Sequence, residues 1–299
     1  MRFPFIFSRL AAILAAMLFA ASLHAQTPDT TTSRHWKIGI ETGLGATQAS
    51  YSDNWTGGES GTIIWVSNFR GTADKQLSHS LFFGNELKLE FGQTHTQIDS
   101  TKQWQSPKKS ADKIRYNNIL RLTRGWAVDP YAAGAVESQF VNITDTSKIY
   151  YDPADFTEAL GVARDVFNVP DQRALTTRVG FGLRQHLRRG FKTANDGGVE
   201  WVTDLSLGSP KAKYSFVSKV TVFEALFNSE ADRLKQEDST RADYWKTADL
   251  NWDNTLRANL TSVLQVNLGW QLLYDKEIDL GGRFKETLAL GLSYKFATK

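Results

Sequence analysis

From about residue 35 onward, apolar and polar residues alternate one by one, segment after segment. A period of two puts successive side chains on opposite faces of an extended chain, so the pattern predicts strands with one apolar and one polar face. The clearest segment runs from Leu81 to Gly92, with Leu81, Phe83, Leu87, Leu89 and Phe91 on one face and Gly84, Glu86, Lys88, Glu90 and Gly92 on the other. Leu264, Val266, Leu268, Trp270 and Leu272 likewise alternate with Gln265, Asn267, Gly269 and Gln271. The last segment carries Leu288, Leu290, Leu292, Tyr294 and Phe296 against Thr287, Ala289, Gly291, Ser293 and Lys295.

Marking every such stretch predicts about twelve strands, at 35–48, 59–71, 79–93, 112–125, 131–143, 154–164, 173–186, 198–208, 212–228, 243–257, 262–274 and 284–296. The connections alternate in length. Those at 49–58, 94–111, 144–153, 187–197, 229–242 and 275–283 are long, and those at 72–78, 126–130, 165–172, 209–211 and 258–261 are shorter. Short turns at one end and long loops at the other are what an outer-membrane barrel requires. Turn residues agree, with Asp129-Pro130 and Gly208-Ser209-Pro210 in two short connections.

The fold class expected is therefore all-β, a closed antiparallel transmembrane β-barrel of twelve strands. The polar face supports lipid outside and water inside, because it carries many ionisable groups: Lys37, Glu41, Glu86, Lys88, Glu90, Arg115, Arg121, Glu137, Arg178, Arg184, Glu200, Asp204, Lys219, Asp249 and Asp253. Aromatic girdles are expected where strands meet the interfaces, from Trp36, Tyr214, Phe216, Tyr294 and Phe296 at the periplasmic ends and from Tyr244 and Tyr274 at the outer ends. The N-terminal segment is separate. Arg2 and Arg9, the apolar stretch Leu10 to Leu23 and the small Ala25 read as an export signal over residues 1–25. Residues 26–34 form a polar lead-in, and 35–299 form the barrel. After the signal no apolar run approaches the roughly 20 residues of a spanning helix. Closure leaves no bare strand edges in lipid.

Composition narrows the function. The 299 residues hold 35 Lys plus Arg against 32 Asp plus Glu, so no basic excess points to nucleic acid. With no cysteine there is neither a disulfide frame nor a thiolate nucleophile. The C-terminal Gly291, Tyr294 and Phe296 resemble the signal by which outer-membrane barrels are taken up by their assembly machinery, although Ala297, Thr298 and Lys299 follow the final aromatic.

Other motifs are more specific. Asn54-Trp55-Thr56-Gly57-Gly58-Glu59-Ser60, the stretch KKSADKIRY from Lys108 to Tyr116, Glu137-Ser138-Gln139-Phe140 and DPADFTEALGVA at 152–163 resemble, in order, the family catalogued as domain of unknown function 3078. That family comprises predicted bacterial outer-membrane barrels. The resemblance implies a fold and a location, and no activity or catalytic residues. Asn54, Trp55, Gly57 and Gly58 form a candidate loop motif, either a ligand platform or a strand return whose glycines supply positive φ.

Catalysis has little to stand on. Of the mature histidines, His35 and His79 are expected at the periplasmic side and His95 in a loop, while His186 sits at an outer rim among Arg184, Arg188 and Arg189. No serine partner, paired histidine or phosphate-binding loop accompanies them. No metal or cofactor is expected. The candidate site is the lumen wall, comprising Glu86, Lys88, Glu90, Arg115, Arg121, Glu137, Arg178, Arg184, Glu200, Asp204, Lys219, Asp249 and Asp253. Its mixed charge argues against strong ion selectivity, although Arg115, Arg121, Arg178 and Arg184 from the fourth and seventh strands are able to gather as one basic wall. The expected function is a narrow outer-membrane pore for small polar solutes. A plugged binding or structural barrel is the alternative, and an outer-membrane lipid hydrolase the lesser one. Expected partners are outer-membrane lipid and lipopolysaccharide, the latter met by Lys108, Lys109 and Lys113 unless these are an ordinary solvated face, together with the barrel assembly machinery.

Overall fold

A computed structural model describes residues 35–50, 60–98, 100–143, 147–169, 172–209, 212–237 and 240–297, the last five of these by their backbone. The leading segment 1–34 and the loop motif at Asn54, Trp55, Gly57 and Gly58 lie outside the described residues. The strands are β1 (Lys37–Ala49), β2 (Thr62–Ser78), β3 (Leu81–Thr96), β4 (Lys108–Leu122), β5 (Asp129–Ser138), β6 (Val141–Ile143), β7 (Lys148–Tyr150), β8 (Ala154–Val169), β9 (Arg173–Leu187), β10 (Ala194–Leu207), β11 (Tyr214–Asn228), β12 (Asp249–Asn259), β13 (Leu264–Tyr274) and β14 (Arg283–Ala297). All but β6 and β7 form a closed barrel of twelve strands, each antiparallel to its sequence neighbour, with β14 returning to pair β1.

The pleat sets which way each side chain faces, and cross-strand partners share a face. Glu41 pairs Arg70, which pairs Lys88, which pairs Arg115, which pairs Glu137. That row runs along the lumen, because charged side chains on the same face reach across the barrel: Arg257 of β12 bonds Glu41 of β1, and Arg184 of β9 bonds Asp249 of β12. The opposite face points outward and is apolar. Leu44, Leu160, Phe181 and Leu288 stand there 54%, 67%, 47% and 70% exposed. An apolar exterior around a charged interior is the reverse of a soluble barrel and is what hydrocarbon outside and water inside demand.

At one end the strands join through 79–80, 123–128, 170–172, 208–213 and 260–263, and at the other through 50–61, 97–107, 139–153, 188–193, 229–248 and 275–282. The short-turn end carries Trp36 edge-on to Phe83, with Lys75 over the indole, and Tyr214 opens β11 there. At the long-loop end Trp65, Phe91 and Phe140 pack together, and Tyr274 closes β13.

Several boundaries differ from expectation for physical reasons. β2 continues through the expected turn at 72–78, since Thr72 and Asp74 still face the lumen and keep their pairing with Glu86 and Gly84. The fifth strand stops at Ser138, and Val141–Ile143 instead forms the hairpin β6–β7, seated against β4 by Asp112, whose carboxylate accepts from the Phe140 and Val141 amides. His95 lies on β3, not in a loop. Tyr244 belongs to a short 3-10 turn (Tyr244–Lys246) that follows helix α1 (Ala231–Glu237), so it is not at a strand end.

Candidate functional site

Local alternation and cross-strand pairing together put Glu86, Lys88 and Glu90 of β3, Arg115 and Arg121 of β4, Glu137 of β5, Arg178 and Arg184 of β9, Glu200 and Asp204 of β10, Lys219 of β11 and Asp249 and Asp253 of β12 on one continuous face, the lumen. Gly291 pairs Gly45 and Gln265, while the backbones of Tyr294 and Phe296 pair Thr42 and Ile40 on β1, so this C-terminal stretch closes the barrel.

Three layers of charge occupy the lumen. Near the short-turn end Arg121 donates to Asp129 at 2.6 Å and to Asp165 at 2.9 Å, a bridge over β5 that ties β4 to β8. Beside it Tyr131, Ala159 and Ala163 form a small dry cluster. Tyr131 fits because Gly161 and Gly180 present bare backbone: an added Cβ at Gly180 would stand 2.7 Å from the tyrosine oxygen. At mid-height Glu86 accepts from Arg70 at 2.6 Å and from Lys88 at 3.1 Å. Around it Glu137 is shared by Lys113 at 3.3 Å and Arg115 at 3.6 Å, and Asp204 by Arg178 and Lys219, each at 3.8 Å. Near the long-loop end Arg184 lies 3.5 Å from the centre of the Phe223 ring and donates to Asp249 at 3.0 Å.

The four arginines expected as a basic wall are thus divided among separate carboxylates. β4 and β9 are kept apart by β5 and β8, and desolvated guanidinium groups take the nearest acid. His186 also differs from expectation. Its Nδ1 lies 2.8 Å from Asp155 and its Nε2 2.9 Å from Asp196, so carboxylates rather than arginines surround the ring and both nitrogens are engaged. A base needs a free nitrogen. Of the lysines expected to meet lipopolysaccharide, Lys109 is held by Asp112, Gln139 and the Val141 carbonyl, and Lys113 points into the lumen.

Sequence reading missed Arg70, Lys113, Asp129, Asp155, Asp165, Asp196 and Arg257. For Arg70, Lys113 and Arg257 a signal existed, since each alternates with an apolar neighbour, Phe69, Ile114 or Leu256. Asp165 had a weak one, because it stays in phase with Ala163 but follows Arg164, a charge where the alternation calls for an apolar residue, and lies just past the expected strand 154–164.

Solved structures similar to this chain are so at low sequence identity. A solved outer-membrane channel from Pseudomonas putida F1 is 12% identical, with a TM-score of 0.42 over 92% of this chain and all (100%) of that one. The translocator domain of the autotransporter NalP from Neisseria meningitidis is 10% identical, with a TM-score of 0.34 over 97% of each chain. The transport unit of the autotransporter AIDA-I from Escherichia coli is 11% identical, with a TM-score of 0.33 over 96% of this chain and 98% of that one. No curated protein sequence matches. Residues 46–142 match the model of the family described as protein of unknown function (DUF3078), which bears out over that stretch the resemblance carried by the KKSADKIRY and Ser138-Gln139-Phe140 motifs.

Proposed function

We propose that the protein is a narrow, water-filled pore of the outer membrane for small polar solutes, with little preference between cations and anions. One observation carries the reading. Arg70 and Lys88, halfway along β2 and β3 and facing inward, keep 48% and 44% of their side-chain surface accessible inside a closed barrel. Side chains that packed shut at that height would hide those groups, so their accessibility supports a wet path. Glu86, Glu137 and Asp204 each serve two cations, while Glu90 and Asp253, the cross-strand partners of Lys113 and Lys219, and Glu200 bring further carboxylates to the same face; that mixture supports weak selectivity, since a strong preference needs a ring of like charge. A twelve-stranded wall is wider than the eight-stranded barrels that side chains fill and narrower than porins of sixteen or more, which fits small solutes. The apolar belt and the export-like leader support an outer-membrane location, and this reading has the long loops outward and delivery by the barrel assembly machinery.

The test is conductance of the refolded mature chain in a planar bilayer under a salt gradient. Stable unitary steps with a small reversal potential are expected. A folded but silent barrel would sink the pore and leave a plugged binding or structural barrel, with function at the long-loop rim.

A further inference from the structure

Along the seam between the first and last strands, pairing stops short of the long-loop end. β1 and β14 pair from Gly39–Ala297 up to Gly45–Gly291 and no further. Above that point β1 continues for four residues, Ala46 to Ala49, all paired to β2, while β14 continues toward the long-loop end paired to β13. The register carried upward would set Thr47 opposite Ala289 and Ala49 opposite Thr287, yet neither pair forms. The seam therefore divides at the Gly45–Gly291 pair. Four residues of strand correspond to an edge of roughly 14 Å at the usual rise.

A similar gap elsewhere is filled. β4 outruns β5 at the same end of the barrel, and there Gln139, Phe140 and Val141 bond to Lys109 and Asp112 and cover the exposed edge. Along Ala46–Ala49 and Thr287–Leu290 no such cover is present among the described residues. Strand edges facing hydrocarbon cost several kcal/mol per unpaired group, and irregular backbone at membrane depth is tolerated where it lines water. By that rule a divided seam within the apolar belt is expected to line water, which here means the lumen.

Its two sides differ in chemistry. Outward stand Leu288, 70% exposed, and Leu290, 58% exposed, with Trp65 beside Ala46 on the other lip. Inward, just above, stand Arg283 and Lys285 on β14. Nine other lumen cations, from Arg70 to Arg257, are in ion pairs, but Arg283 and Lys285 make none among the described residues, and the Arg283 Nε is buried without a hydrogen-bond partner. An apolar lip leading to two cations without carboxylates matches a molecule with one greasy tail and one anionic head.

We propose that the opening between β1 and β14 is a lateral portal through which a single-chain anionic amphiphile moves between the lumen and the membrane, its head held by Arg283 and Lys285. The tail lies on Leu288 and Leu290. The portal does not rest on axial conductance, since a barrel closed along its axis can still hold an amphiphile at this seam.

A photoreactive fatty acid carrying a diazirine in its chain, and its methyl ester, are the probes, with the refolded mature chain in nanodiscs and labelled residues mapped by mass spectrometry. Labelling by the acid is expected to concentrate on residues 44–49 and 283–292, and to exceed labelling by the ester there. The double variant Arg283→Gln with Lys285→Gln should lower it about tenfold, the scale of one charge-assisted contact. Thr47→Cys with Ala289→Cys, oxidised, should abolish it, and reduction should restore it, with conductance unaltered. Labelling spread evenly around the belt, or unchanged by the glutamines or by the disulfide, overturns the portal. If the cysteine pair does not fold, the glutamine variant decides alone. A silent barrel that still labels at the seam counts against the axial pore and not against the portal.

Discussion

Single residues in this barrel are held to account by the side they face. Arg121 is partly buried, with 13% of its side chain accessible, between Asp129 and Asp165, and its removal would leave two carboxylates facing each other without a cation. Breaking such a pair costs more than the pair contributes. Arg121→Met is accordingly expected to destabilise the folded barrel by about 3 kcal/mol, read as a lower urea midpoint in lipid vesicles. An unchanged midpoint would mean that the acids are satisfied by water. Asn254 presents the opposite case. It faces outward between Ser218 and Trp270, is 1% exposed, and neither polar atom of its amide has a partner. A buried amide without hydrogen bonds opposes folding. Asn254→Leu, close in volume, should raise stability by about 1 kcal/mol, and a loss in the same denaturation assay would show that the amide is satisfied.

At the scale of strands and loops, close approach and local charge decide. Tyr131 of β5 spreads over Gly161 of β8 and Gly180 of β9 because no Cβ stands between ring and sheet, and at Gly180 an added Cβ would also meet the Leu160 carbonyl oxygen. Gly180→Ala must therefore push out the ring and open the dry cluster, at a cost of about 2 kcal/mol. Tyrosine fluorescence and the unfolding midpoint would both report it. The loop 275–282 holds Glu277, whose carboxyl burial pushes above the ordinary carboxylate range, helped by Asp275 and Asp196 and opposed by His186. A raised carboxyl pKa means that the folded loop prefers the proton. Its stabilisation is complete below the ordinary value and is lost as pH rises through the raised one. Amide exchange across 275–282, corrected for intrinsic rate, should slow on acidification, and Glu277→Gln should remove that dependence. Exchange that is as pH-dependent in the variant would place the effect elsewhere.

For the whole molecule, closure turns alternation into an inside and an outside. At mid-height Glu86 is shared by Arg70 and Lys88. Lys88→Glu replaces the cation that shares Glu86 with Arg70 by a second acid, and should shift the reversal potential under a salt gradient toward cation preference while leaving unitary conductance within about twofold, as a change of one lumen charge does to a pore wider than its ions. No shift would mean that the conducting path bypasses β3. The divided seam between β1 and β14 belongs to this scale too, since it exists only where the first and last strands meet.

How much of this was legible beforehand follows from where each constraint acts. Alternation at Leu81–Gly92 or Leu264–Leu272 is local, because an extended backbone turns each side chain over from the last, so strand number, loop asymmetry, the all-β class and the facing of residues such as Glu86, Arg178 and Asp253 could be read from order alone. Loop structure was not legible in the same way: the β6–β7 hairpin and helix α1 sit where polar residues carry no period. Ion-pair partners were not legible either. Arg121 meets Asp165 across an intervening strand and Arg257 meets Glu41 across two, and those distances come from stagger, bulges and curvature. His186 shows the same limit, since its chain neighbours are arginines while its spatial neighbours are Asp155 and Asp196. The sequence by itself determined which residues face water and which face lipid, because that depends on parity along one strand. The tertiary structure alone decided which charges neutralise each other and where the wall stays open, because both depend on how strands far apart in the chain are brought together when the sheet closes.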